Sequence, residues 1–338
     1  MSQLIVSTAP HVKTPRTTKH IMLDVLIALA PAAIAGIVFF GWQALVVELL
    51  AVASAVLTEF VYYILQNKIW ANPKDVLSKF LKQFDFTSVI TGLLLALVSP
   101  ANVEAWYMPV LGGIFAIAVV KMLFGGTGRN IINPALGGRI FLFISFAAMT
   151  AYPAASFGAI LTGSGSLTTG ATQLQSLLGG NTATLSPLDL FLGTGVAGCI
   201  GETCKAALLL GGIYLCVRKV IKWYLPVIYI AVTGLFASLL ALDINVFLPS
   251  ILSGGLFLGA IFMATDYVTT PKSTLGNIIY FVLLGLLTAG LRAATKLEVV
   301  SFCIVLMNFV VFLIDGFIKC RPFGYKRVKK EKPQKEGK

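Results

Sequence analysis

The chain has 338 residues, of which 57% are hydrophobic and only 12% charged, and its mean hydropathy is +0.88. A soluble domain carries about 25% charged residues, so this composition excludes an ordinary water-soluble enzyme and points to a membrane protein. The formal charge of +12 does not indicate nucleic acid: nine Lys and Arg fall between Lys319 and Lys338, after the last apolar run, and read as a basic tail near anionic lipid.

Residues 1–20 form a polar leader, and ten apolar runs follow at about 21–40, 45–65, 86–99, 107–124, 139–152, 188–217, 224–242, 246–264, 277–291 and 299–318. Their recurrence predicts an all-α polytopic membrane protein of about ten transmembrane helices. The first run follows a long leader and is succeeded by similar runs, so it is not a cleaved signal. Two runs are unusual. The 86–99 run is short and stops at Ser99-Pro100, and the 188–217 run is too long and is interrupted by Gly193, Gly195, Gly198, Gly201, Glu202 and Lys205. Such runs predict broken or half helices around a site at membrane depth, where bare backbone survives only under protein or beside a cavity. The order is a first membrane half at 21–152, a loop at 153–187, a second half at 188–318 and the tail at 319–338. Five spans, a loop and five spans suit an inverted five-helix repeat, although the two halves show no convincing internal alignment.

Lys and Arg placement predicts orientation. The leader, the 66–85 and 121–139 connections, the segments after spans six and eight, and the tail together hold 23 of the 26; Lys205, Arg292 and Lys296 lie elsewhere. Both termini are therefore expected in the cytoplasm and the 153–187 loop outside.

Intramembrane acids are candidates for function because ionised groups at depth are costly. They are Asp24, Glu48, Glu59, Glu202, Asp266 and Asp315, with Glu48 and Glu59 deepest on the linear map and in need of a partner or cavity. The stretch Phe124-Gly-Gly-Thr-Gly-Arg-Asn130-Ile-Ile-Asn133-Pro-Ala-Leu-Gly-Gly-Arg139 interrupts helix with glycines and a proline. Its free backbone N–H groups, with Asn130 and Asn133, could hold an anion or a polar ring; a tight turn between two spans is the plainer alternative. No charge occurs between Arg139 and Asp189, and Leu161 to Pro187 is rich in Ser, Thr, Gly and Gln. Within it lies Thr169-Gly170-Ala171-Thr172, which reads as a site where a transferase could esterify the Thr172 hydroxyl with the phosphate of FMN, its small neighbours leaving room; a plain polar loop is the alternative. The five cysteines lack Cys-x-x-Cys spacing and read as packed thiols rather than an iron–sulfur or zinc site. His11 and His20 lie outside the spans and away from any carboxylate–serine set, and the Gly-rich run lacks the P-loop ending.

Taken together these motifs resemble the D subunit of the Rnf electron-transport complex (RnfD), a relative of the B subunit of the sodium-pumping NADH:quinone reductase. The resemblance covers almost the whole chain. It rests on Ala9-Pro-His11 with Ile21-Met-Leu-Asp24, Thr91-Gly-Leu-Leu-Leu-Ala-Leu, Met108-Pro-Val-Leu-Gly, the Phe124 to Ala135 block, Gly201-Glu-Thr203 and Phe262-Met-Ala-Thr-Asp266. It implies covalent FMN at Thr172, within a family pattern Asp-x-x-Ser/Thr-Gly-Ala-Thr whose Asp position is Ser166 here. It also implies a non-covalent flavin of riboflavin type, with Asn130 and Asn133 as expected contacts, and an ion path for which Asp266 and Asp315 are the candidates; Glu59 joins them on its depth in the linear map. Implied partners are Rnf subunits of A, B, C, E and G type, a flavin transferase, and ferredoxin and NAD bound on those subunits. The implied activity is part of a ferredoxin:NAD+ oxidoreductase that moves Na+ or H+ across the cell membrane. The alternatives are a solute channel or transporter on the same scaffold, the quinone-reductase relative, and a purely structural subunit.

Overall fold

The computed structural model describes residues 16–67, 73–102, 105–155, 173–178 and 185–318. The Thr169–Thr172 motif, most of the leader and the basic tail lie outside these. The described residues form helices and turns, and the one β-bridge among them pairs Ala154 with Ala197.

The long apolar runs become α1 (Thr18–Phe40) and α2 (Trp42–Asn67), separated only by Gly41, whose φ of +71° turns the chain back on itself. Next come α3 (Pro73–Gln83) and α4 (Thr87–Leu97), bent by 73° across their junction. α5 (Tyr107–Phe115) continues as a π-helix at Ala116–Met122. α6 (Pro134–Ser145) starts where Asn133 Oδ1 accepts the Ala135 N–H, with Pro134 at the first helical position, the two favoured residues for those places. Two short helices, α7 (Gln173–Leu178) and α8 (Pro187–Leu192), belong to the loop region. α9 (Lys205–Val217) and α10 (Tyr224–Ala241) follow. α11 (Phe247–Leu252) then bends into α12 (Leu256–Leu258), which runs on as a π-helix at Gly259–Met263. α13 (Thr274–Thr295) and α14 (Val300–Phe317) complete the chain.

Among the described residues five helices, α1, α2, α10, α13 and α14, are long and apolar enough to cross a bilayer. The bent pairs α3–α4 and α11–α12 and the shorter apolar helices α5, α6 and α9 account for the remaining runs. The short 86–99 run is thus a half helix, as its length requires. The long 188–217 run is not one helix but α8, a turn that includes one 3-10 turn at Ile200–Glu202, and α9; Gly193, Gly195, Gly198, Gly201 and Glu202 fall in the turn. The sixth and eighth runs are both interrupted inside the protein, and the third ends there, at buried Val98 and Ser99.

α2 lies against α4 and α5, while α10 lies against α11 and α13. α1 crosses over to α9 and joins the halves. There the helices approach so closely that a Cβ on Gly211 would collide with the Ala28 carbonyl oxygen, and one on Gly212 would press on Ile261. Small residues at a helix crossing let backbones meet where lipid supplies no hydrophobic drive. Gly211→Ala should therefore lower stability by about 1–3 kcal/mol, the usual cost of overpacking. Gly290→Ala, where a Cβ meets nothing within 4 Å, should leave it unchanged. Thermal unfolding of the detergent-solubilised variants measures both.

Candidate functional site

Several ends of the chain meet on one face. There Arg16 donates to the Arg218 carbonyl at 2.8 Å, Lys19 to the Lys82 carbonyl at 2.7 Å, and the Lys272 N–H to Asp315 at 3.2 Å. This basic face holds the Gly125–Asn133 loop. Gly125, Gly126 and Gly128 have φ of +105°, +87° and +85°, a region in which a side chain would be strained. The loop is tied to α4 by a polar chain. Thr127 and Thr87 donate to Asp85 at 2.8 and 2.5 Å, and Lys121 donates to Thr87 at 2.6 Å and to Glu59 at 2.9 Å. Burial opposes ionisation of Asp85, but these hydroxyl bonds and the Lys121 charge outweigh it and hold the carboxyl below its usual range.

Behind the loop is a cavity of about 130 Å³. Met22, Ile90, Leu94, Leu215, Ile261 and Phe262 form its apolar walls, and Thr87, Thr91, Lys121, Asn130, Asn133 and Asp266 supply polar groups. Both π-helical segments contribute to it, through Lys121 and through Ile261 and Phe262. Extra residues of this kind inside helices recur at functional sites because they re-aim side chains. Asn130 Nδ2 donates to the Ile132 carbonyl at 3.0 Å, and Asn133 Nδ2 to the Met263 carbonyl at 3.4 Å. The asparagines therefore both shape the turn and face a cavity.

The three ion-path candidates do not share a site. Asp266 lines the cavity, where it accepts the Val268 N–H and the Thr269 hydroxyl, each at 3.4 Å. Glu59 sits on the far side of Lys121 and is paired with it. Asp315 lies apart, on the backbone of Lys272. Asp24 is interfacial in character: Tyr214 donates to it at 3.0 Å and half-exposed Arg218 pairs with it at 3.1 Å. Glu48 is buried on α2, and its Oε1 finds no partner among the described residues.

The second concentration of charge escapes the orientation reading. Lys/Arg counting places Arg139 in a connection, yet it is buried in α6, bonded to Glu202 at 3.2 Å and to Cys199 Sγ at 3.9 Å. Lys121, counted with the same connection, is likewise buried inside a helix. Arg292, near the end of α13, pairs with Glu298 at 2.9 Å and donates to the Ser250 and Ser253 carbonyls at 3.1 and 3.4 Å. Lys205 is fully buried between the two pairs and donates to the Thr203 carbonyl at 3.4 Å. A small void of about 10 Å³, the size of one water, joins Tyr152, Glu202, Lys205 and Glu298. Glycines make room for both carboxylates: a Cβ on Gly254 would overlap Glu298, and one on Gly255 would lie 2.6 Å from Glu202 Oε1. The signal in the sequence is the charged Gly201-Glu-Thr-Cys-Lys205 inside an apolar run, since an ionisable group at depth needs a partner.

The two interior breaks touch. The Ile200 N–H donates to the Ser99 carbonyl at 3.1 Å, and Gly201 packs on Leu97. The C-terminal end of half helix α4 thereby meets the turn that leads into half helix α9. The described ends of the loop region also close on this turn, Ala155 bonding to Val196 at 3.0 Å and Gly198 to Pro153 at 3.3 Å.

Half helices meeting in the interior, charged pairs seated at the breaks and a polar-rimmed cavity on the basic face define a polytopic all-α membrane protein with broken helices around polar sites at depth. Comparison with known proteins agrees and is more specific. Residues 5–324 match the model of the NQR2, RnfD, RnfE family, and the chain belongs to that family. It is 42% identical to the D subunit of the Na(+)-translocating ferredoxin:NAD(+) oxidoreductase complex of Acetobacterium woodii, over 97% of this chain and 98% of the relative. It is 35% identical to the D subunit of the proton-translocating ferredoxin:NAD(+) oxidoreductase complex of Clostridium ljungdahlii, over 95% and 96%. It is 32% identical to the D subunit of the ion-translocating oxidoreductase complex of Escherichia coli, over 95% and 99%.

Proposed function

We propose that this chain is the D subunit of an ion-translocating ferredoxin:NAD+ oxidoreductase complex and carries flavin in electron transfer coupled to ion movement. The observation that carries this is the near-complete alignment, end to end, with relatives named as that subunit. Relatives named for Na+ and for protons both align in this way. The chain is not catalytic alone: it contains no dinucleotide fingerprint, and NAD and ferredoxin would bind on partner subunits.

Thr172 would carry FMN as a phosphoester, added by a flavin transferase. Support comes from the intact Thr169-Gly170-Ala171-Thr172 and from the absence of charge around it. On the Lys/Arg bias that loop faces outside and both termini face the cytoplasm. A second, non-covalent flavin of riboflavin type suits the basic-face cavity. Its walls are apolar enough to clasp a flat ring, while Asn130, Asn133 and the threonines can meet ring nitrogens and oxygens with donors and acceptors. Lys121, held by Glu59, places a cation at the rim. Bound flavin would supply one- and two-electron chemistry; the residues of the chain would orient it, exclude water and fix the charge beside it. The other membrane subunits must complete the electron path, because about 30 Å of hydrocarbon separates the two faces.

Peptide mass and in-gel flavin fluorescence of wild type and Thr172→Ala test this reading. The expected result is an FMN-sized mass increase on the wild-type Thr172 peptide and its complete loss in the variant. Unmodified wild-type Thr172 from cells with an active flavin transferase would overturn the covalent site.

A further inference from the structure

α9 and α10 are consecutive in the chain, joined by residues 218–223, yet they barely touch. α9 is held by α1, and α10 is held by α13, so the two are drawn apart. At the basic face their connection and the Thr265–Lys272 segment enclose a vestibule of about 710 Å³. Lys219, Lys222, Trp223, Tyr224, Tyr267 and Lys272 wall it. The three lysines are exposed, and none is in a salt bridge among the described residues. The neighbouring acids are otherwise engaged: Asp315 accepts the Lys272 backbone N–H, and Asp24 is paired with Arg218. Further into the membrane, α9 and α10 expose Ile213, Val217 and Val227.

We propose that this vestibule is a binding site for one anionic phospholipid. Its phosphate would lie among Lys219, Lys222 and Lys272. Its glycerol region would rest on Trp223 and Tyr224, residue types that settle at the headgroup level. An acyl chain would lie along the exposed apolar residues Ile213, Val217 and Val227. Charge complementarity selects the occupant, because basic pockets between helices hold anionic headgroups, at about 1 kcal/mol per Lys or Arg near the surface. The site has a structural consequence. The vestibule shares Val220, Ile221, Thr265 and Tyr267 with the inner basic-face cavity, and the Tyr267 hydroxyl bonds the Val220 carbonyl. The lipid would brace the wall of that cavity, whatever the cavity holds.

The test is lipid retention by the full chain, purified in mild detergent, as wild type and as Lys219→Gln/Lys222→Gln/Lys272→Gln. Native mass spectrometry would follow phosphatidylglycerol and phosphatidylcholine offered in equal amounts. Wild type should keep phosphatidylglycerol selectively, and the triple variant should bind it roughly a hundredfold more weakly. A Lys79→Gln/Lys296→Gln control should behave as wild type. Equal retention by the triple variant would overturn the proposal, as would displacement of the lipid by inorganic phosphate alone, which marks a free-anion site. Recovery of a partner-subunit peptide instead of lipid from a photocrosslinker at position 222, in the intact complex, would also overturn it. If the triple variant does not fold, Lys222→Gln and the salt dependence of wild-type retention decide: retention that ignores salt rules out a charge-held headgroup.

Discussion

Arg139→Met is expected to destabilise the folded chain by about 3–5 kcal/mol, the cost of leaving a buried charge without its partner. Arg139 and Glu202 are each 5% exposed, and the guanidinium is the carboxylate's one ion-pair partner among the described residues. Removing the cation strands Glu202 in a turn pressed between Leu97, Leu258 and Gly255. Glu202→Met should cost a similar amount. The double variant should cost much less than the sum, because neither member of the Arg139–Glu202 pair is then left buried without the other. A double-mutant cycle on thermal or denaturant unfolding in detergent measures the coupling. Additive losses would show that the two residues do not act as a pair. The reason for so costly an arrangement lies in the breaks. A turn at membrane depth exposes backbone groups, and a side-chain network there fixes which groups they meet.

Gly254→Ala carries the second large effect. Gly254 has φ of +70°, so any side chain is strained there, at about 1 kcal/mol or more. Its added Cβ would also overlap the Glu298 carboxylate and push it off Arg292. Arg292 would keep only the Ser250 and Ser253 carbonyls. The combined loss should be about 3–5 kcal/mol, dominated by the broken pair. The clash can be separated from the backbone strain. In a Glu298→Ala background, Gly254→Ala should cost only the strain, about 1 kcal/mol. A loss as large as in wild type would show that the carboxylate does not occupy the space beside Gly254. Gly316→Ala, with open space around it, serves as the neutral control.

Both variants act on the same structural idea. Two arginines, two glutamates and one lysine are gathered around the junctions of α8 with α9 and of α11 with α12. The arginines come from α6 and α13, so the network ties the two membrane halves together. Lys205 starts α9 inside it, on the helix that α1 holds through the Gly211 crossing. Damage to any of these should spread to the half-helix contact at Ser99 and Ile200.

The class of protein and the order of its spans are legible in the linear chain. Apolar runs of bilayer length leave no alternative to helix, since every backbone group in lipid must be satisfied internally. Proline and glycine also mark the breaks, because Pro100 lacks the N–H a helix needs and Gly193 and Gly195 take up positive φ outside the helical region. The Asn133-Pro134 start of α6 is readable for a related reason, the cap and the missing N–H fitting the first turn. The family is recognisable as well, because the Phe124 to Ala135 block and the Gly201-Glu-Thr203 turn are local strings.

Which charges become neighbours is settled only by folding. Arg139 lies 63 positions from Glu202, and Lys121 lies 62 from Glu59. Lys/Arg counting assigns Arg139 and Lys121 to a connection, because it cannot know that a carboxylate on another segment offsets the cost of burying them. The pairing of Asn133 with Met263, 130 positions away, is of the same kind. The basic-face cavity exists because α1, α4, α6, α9 and the second π-segment converge on it. Likewise α9 and α10 stand apart because each is packed on a different neighbour. Short-range chemistry writes helices and breaks into the chain, but the relief of buried charge and the shape of a cavity arise only when distant segments meet.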